Sequence, residues 1–213
     1  MTTAGMVSFL LIFVIILFSL ILHEVAHAVM ALRFGDDTAK QYGRITLNPL
    51  VHIDPFGTIL LPFISFLFAG VIFGWAKPVP INIAYLRPRK LGIFCVSMAG
   101  VAVNFLIALT CGLILRFSDL FDLPFVLLDQ VLALILVVNL ILAIFNLIPI
   151  PPLDGSRLWL MWLSDQRWMM IERRPWIFII LIFALIYVLP IFQAIQWLFV
   201  LLSGHGLESY FLV

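Results

Sequence analysis

Five apolar stretches, at roughly 6–34, 58–75, 91–116, 130–149 and 176–202, take up most of the chain. A helix needs about 20 mostly apolar residues to span a bilayer, so these runs name the solvent before anything else is known. Composition agrees: 64% of the 213 residues are hydrophobic and 11% are charged, where a soluble domain carries about 25% charged residues. So few charges cannot coat a water-facing surface, which excludes a soluble globular domain, a nucleic-acid binder and a disordered tail. The expected fold is an all-α polytopic membrane protein with the lipid bilayer as its main partner. The formal net charge of +1 steers it toward no acidic partner. Cys95 and Cys111 share one apolar stretch and form neither a CxxC nor a disulfide framework, so they read as buried apolar residues.

The first stretch has no basic n-region and runs on into charged residues, the wrong shape for a cleaved leader. Polar gaps are short, the longest lying around 35–57 and 76–90. A single membrane-embedded domain over 1–213 is therefore expected, with its core in 6–157 and an extra C-terminal helix over 176–202. The segment from Arg44 to Leu47 alternates polar and apolar residues before Asn48-Pro49, which predicts a short strand at the membrane surface. The second stretch is broken by Pro62, Gly70 and Gly74. Such residues are tolerated in spanning helices, so they alone do not decide whether it crosses.

Near the end of the first stretch sits His23-Glu24-Val25-Ala26-His27, an HExxH pattern. At about 100° per residue, His27 lies roughly 40° and Glu24 roughly 100° around a helix from His23. Two imidazoles one turn apart can hold one metal ion with the carboxylate beside it. Zinc suits imidazole, and a Glu at that place can act as a general base toward water. The pattern is short enough to recur by chance, but this one interrupts an apolar run. Ionisable groups at membrane depth are costly and point to function.

A catalytic zinc takes a third protein ligand. His52 and Asp54 follow the motif helix, His205 lies in the polar C-terminal tail, and Asp119, Asp122 and Asp129 form one acidic loop. The leading candidate is Asp154, in Asn146-Leu-Ile-Pro149-Ile-Pro151-Pro152-Leu153-Asp154-Gly155. There three prolines end the fourth helix and Gly155 permits a tight turn, although an ordinary helix stop with a turn aspartate would look the same.

HEVAH followed by NLIPIPPLDG resembles the two signatures of the site-2 protease family, the intramembrane zinc metalloproteases of peptidase family M50. FGDDTAKQYGRITLNPLVHIDPFGT and FGWAKPVP are similar to its compact bacterial branch, which lacks PDZ and CBS domains. The likeness covers roughly 19–157. It implies one zinc ion per chain on His23, His27 and Asp154, with Glu24 as the catalytic glutamate. The family's AGPxxN pattern appears here as Ala99-Gly100-Val101-Ala102-Val103-Asn104, keeping the Asn and losing the Pro. That leaves the local helix geometry open.

One metal can join both motifs only if they lie at the same depth. Each motif sits toward the C-terminal end of its stretch, the first and the fourth, so stretches two and three cannot both cross. The second, short and Gly/Pro-broken, is expected to be re-entrant or interfacial, leaving about four crossings. Eleven of the twelve basic residues then share one face and only Arg116 lies on the other. If stretch two crossed, the split would fall to 8 against 4. The positive-inside rule therefore places the active site on the cytoplasmic side of the cell membrane.

Gly100, Asn104, Ala108 and Gly112 recur every four residues along the third stretch. They read as a packing stripe or, at Asn104, as a group turned toward the site. Asn139, Ala143 and Asn146 form a similar stripe, and Asn146 is expected to bind substrate or support a ligand. Ser19, one turn before His23, reads as a packing residue. The function expected is a zinc-dependent endopeptidase acting on membrane proteins with a transmembrane helix. The rival is a non-proteolytic membrane metal-binding or helix-capturing protein, which would need the histidines but not Glu24.

Overall fold

The computed structural model describes residues 3–118, 126–172, 177, 180, 181, 184, 185 and 190–211. Among the described residues, three helices are long and apolar enough to cross a membrane. The first, α1 (Thr3–Arg33), has 31 residues, about 46 Å at 1.5 Å per residue. A short α2 (Thr38–Gln41) follows. The other two long helices are α4 (Arg89–Arg116) and α5 (Val126–Leu147). Between α2 and α4 lies the second apolar stretch, which forms a π-helical turn at Pro55–Leu60 running into α3 (Leu61–Ala69). After α5 come a 3-10 helix, Asp154–Met161, and α6 (Asp165–Glu172). Of the C-terminal helix expected over 176–202, residues 176, 178, 179, 182, 183 and 186–189 lie outside the described residues. Its longest continuously described part is α7 (Ile191–Ser203), which begins after Pro190, and α8 (Glu208–Phe211) follows.

The second apolar stretch doubles back on itself. Gly70, at φ 69°, ends α3 in the left-handed conformation that glycine adopts without strain. The chain then returns extended alongside the helix. Phe73 N–H donates to Ser65 Oγ at 3.0 Å, Trp75 N–H to Gly57 O at 3.0 Å, and Thr58 Oγ1–H to Trp75 O at 2.8 Å. Gly57 and Trp75 thus lie together at one end of the hairpin, and a Cβ on Gly57 would run into the Trp75 ring.

The strand expected at Arg44–Leu47 does not form, and no strand occurs among the described residues. Its polar groups are used locally instead. Arg44 N–H closes a turn onto Ala39 O at 2.8 Å, after Gly43 at φ 65°, and Thr46 O accepts from the His52 ring at 2.9 Å. The alternation that suggested a strand turns Arg44 inward because its guanidinium has backbone carbonyls to bind there.

The apolar core lies where α4, α5 and α7 meet. Ala108, Cys111 and Leu115 pack against Ala133, Leu136 and Leu140, and against Ile195, Phe199 and Leu202. Gly112 makes this possible, since a Cβ there would sit 2.6 Å from Leu202 Cβ. A second cluster, including Ala31, Leu86, Ile93, Val96, Leu160 and Trp168, packs the opposite end of α4 against the end of α1. The candidate site lies between these two clusters.

Candidate metal centre

His23 and His27 project from α1 toward α4, and the turn after α5 carries Asp154 to them across more than a hundred residues of sequence. His23 Nε2 lies 2.8 Å from Asp154 Oδ2, His27 Nε2 lies 3.0 Å from the same oxygen, and the two Nε2 atoms are 3.0 Å apart. All three side chains are buried, at 4%, 2% and 6% exposure. Among the described residues they form the one group of three such side chains whose donor atoms converge on a common point.

Local structure explains each placement. His27 Nδ1–H donates to Val96 O at 2.6 Å, which leaves the neutral ring's lone pair on Nε2, facing the other two donors. His23 lies flat against α4 at Gly100. A Cβ on Gly100 would come under 3.0 Å from three atoms of the His23 ring, so no other residue leaves it room. Asp154 begins its 3-10 helix directly beneath the end of α5. A Cβ on Gly155 would come under 3.0 Å from the Leu147 and Ile148 backbone, so the Pro-Pro-Leu-Asp-Gly turn closes only with glycine. Burial alone would raise the Asp154 carboxyl, but hydrogen bonding from His23, and the Arg157 guanidinium 4.0 Å away, hold it well below the usual carboxylate range. It is therefore a carboxylate, the form in which it ligates a metal.

The donors fit a metal ion. Two imidazole Nε2 atoms face each other, and a neutral His27 that donates Nδ1–H to Val96 O presents a lone pair on that side. A cation between them and the carboxylate satisfies all three. Two His and one carboxylate form a set that suits catalytic zinc, which keeps its fourth position open.

Glu24 stands apart from the triad. It is half-buried on the adjoining face of α1, and its Oε2 accepts Val79 N–H at 2.8 Å from the extended segment after the hairpin. Asn104 is fully buried, with neither amide atom hydrogen-bonded. It lies one turn beyond Gly100, the residue against which His23 packs. Asn146 is half-buried and its amide donates to Leu142 O of its own helix at 2.9 Å.

The other acidic and histidine candidates lie elsewhere. His52 is buried in the loop after α2, Asp54 caps the π-helical turn by accepting from Gly57 N–H at 2.6 Å, and Asp129 lies in the first turn of α5. His205 belongs to the C-terminal tail, and Asp119 and Asp122 fall outside the described residues. Sequence reasoning missed Val96 and Val79, which act through backbone atoms and leave no side-chain signal. Gly100 was visible only as a member of a small-residue stripe and of the AGPxxN-like pattern.

The sequence profile of peptidase family M50 matches residues 122–189, a region that holds Asn146 and Asp154 but not the HExxH motif. The chain is 43% identical over 145 residues to YwhC of Bacillus subtilis (strain 168), provisionally named a zinc metalloprotease, covering 66% of this chain and 63% of that protein. It is 37% identical over 140 residues to Rip2 of Mycolicibacterium smegmatis (strain ATCC 700084 / mc(2)155), named in the same way, covering 65% and 52%. These matches support placing the chain in the site-2 protease family, peptidase family M50. Zinc is the metal that membership implies for the buried triad. The chain spans 52–63% of the length of these relatives. No solved structure matches it.

Proposed function

We propose that this chain is a zinc-dependent endopeptidase that cuts peptide bonds within or near the transmembrane helices of membrane proteins. The observation that carries this reading is the convergence of His23, His27 and Asp154 on one buried point, with Glu24 on the next face of the same helix. His23, His27 and Asp154 would hold one zinc ion, which would supply Lewis acidity for the substrate carbonyl and for water. Glu24 would accept the proton of the attacking water and return it to the leaving amine. Its carboxylate is already oriented for this by Val79 N–H, which takes one oxygen and leaves the other free. Gly100 and Val96 hold the two imidazoles, so that the site needs little rearrangement when loaded. Asn104 lies one turn beyond the Gly100 against which His23 packs, and Asn146 lies at the half-buried end of α5, where a substrate backbone can reach it.

The doubled-back hairpin between Gly57 and Trp75 supports the parity reading, in which stretch two enters and leaves by one face. On that path the basic residues and the active site share the cytoplasmic face. Cysteine accessibility that placed residues 77–90 outside the cell would reject this orientation. For the activity itself, the purified protein is assayed on a model single-span substrate. Wild type should cleave and contain one zinc per chain, and Glu24→Gln should keep zinc and lose about 10²–10⁴-fold in rate. Equal cleavage by both, or wild type without zinc, defeats the protease reading and favours a metal-binding or helix-capturing protein.

A further inference from the structure

The extended segment 75–82 passes over Glu24, and buried charges from outside the metal triad hold it there. Arg44 is 7% exposed, unusual for a guanidinium in so apolar a chain. It donates to Val51 O, to Lys77 O at 2.6 Å and to Pro78 O at 3.1 Å. Asp36, in the turn between α1 and α2, is fully buried, and its Oδ2 accepts Asn82 N–H at 2.6 Å. Between these anchors Lys77 N–H donates to His52 O at 2.8 Å, while His52 is itself fully buried and tied to Thr46 O. Val79, the residue whose N–H meets Glu24, lies one position beyond the last carbonyl that Arg44 binds.

The anchors sit on three different segments: the turn between α1 and α2, the loop after α2 and the turn before the hairpin. Residues 78 and 80 are prolines and donate nothing. Among the hydrogen bonds of 77–82, Val79 N–H is therefore the one directed at a candidate catalytic group, and the rest fix its position. A buried charge needs strong partners, and here those partners are the backbone of this segment.

We propose that Arg44 is a positioning residue for catalysis: by clamping the Lys77 and Pro78 carbonyls it holds Val79 N–H on Glu24 and so aims the carboxylate. The proposal rests on the reading of Glu24 as the proton-transfer group. Arg44→Met should lower kcat about a hundredfold, the scale of rate lost to a misplacement of about an ångström, with KM and zinc content unchanged. Arg44→Lys keeps a cation but not the planar fork and should fall between Met and wild type. Val79→Pro removes the N–H that Glu24 accepts, at a position where Pro80 already confines the backbone to the extended region. It should lower kcat to a similar degree.

The double variant decides the route. If Arg44 acts through Val79, Arg44→Met with Val79→Pro is no slower than Val79→Pro alone. Multiplying losses, a kcat undiminished in Arg44→Met, or zinc lost from that variant, would overturn the proposal. Hydrogen–deuterium exchange over 77–82 reads the same clamp without turnover. Exchange at Val79 should speed at least about tenfold in Arg44→Met, and unchanged protection there would also overturn the proposal. A wild type that does not cleave defeats the protease reading, and the exchange result then still decides whether Arg44 holds the segment.

Discussion

The two ends of α4 use one device for opposite purposes. Toward its C-terminus, Gly112 lets Leu202 of α7 approach the backbone, as part of an apolar cluster of α4, α5 and α7. Three turns earlier, Gly100 makes the same kind of gap, and the group that fills it is the His23 ring. In a membrane the lipid tails are as apolar as leucine, so helices associate by close van der Waals packing, and small residues permit it. Such a gap does not specify its occupant. At Gly112 the occupant adds packing, while at Gly100 it aims a metal ligand.

Removing a ligand tests the site end most severely. Asp154→Ala should abolish zinc binding and activity together, read as metal content of the purified protein, because two imidazoles are left without their carboxylate. At the other end, Phe199→Ala in the fully buried core should cost about 3–5 kcal/mol of stability, measured by thermal unfolding in detergent, with zinc retained by the folded fraction. Gly100→Ala and Gly112→Ala sharpen the contrast, since the change is one methyl group in both. At Gly100 it should displace the His23 ring and weaken zinc binding at least about tenfold. At Gly112 it should push α7 outward at a cost of about 1–3 kcal/mol, with zinc affinity unchanged. Equal zinc loss in both would mean that the two ends are not separable.

This asymmetry also marks how far the sequence could be read. The long helices were legible because uninterrupted apolar length admits few alternatives, and α4 and α5 begin and end within a few residues of their apolar stretches. The HExxH spacing and the Pro-rich turn around Asp154 were legible as side-chain patterns that ordinary spans lack. The strand at Arg44 was misread because alternation reports which side chains face inward, not which backbone they meet. What could not be read is what backbone atoms do. Val96 O fixes the ring of His27 and Val79 N–H orients Glu24, yet any residue but proline offers the same groups. Gly100 and Gly112 look alike in sequence for a related reason: the difference between them lies on α1 and α7.

The smallest expected effect falls between the two ends. Asn139 of α5 is fully buried, and its amide donates to Ser19 Oγ of α1 at 3.0 Å and to Ile135 O at 2.9 Å. Ser19 is one turn from His23, so this polar contact adjoins the metal site without touching it. Interhelical hydrogen bonds of this kind contribute about 0.6 kcal/mol on average in membranes. Asn139→Leu, with the same branched arrangement of heavy atoms, removes the bond and also the unpartnered Asn139 Oδ1, whose burial opposes folding. The two effects offset, so unfolding should shift by less than about 1 kcal/mol and zinc affinity should not change. A large loss of zinc in this variant would extend the site end of the bundle a full turn deeper, to the level of Ser19. Retention of zinc would place the edge of the site end on α1 within the turn that separates Ser19 from His23.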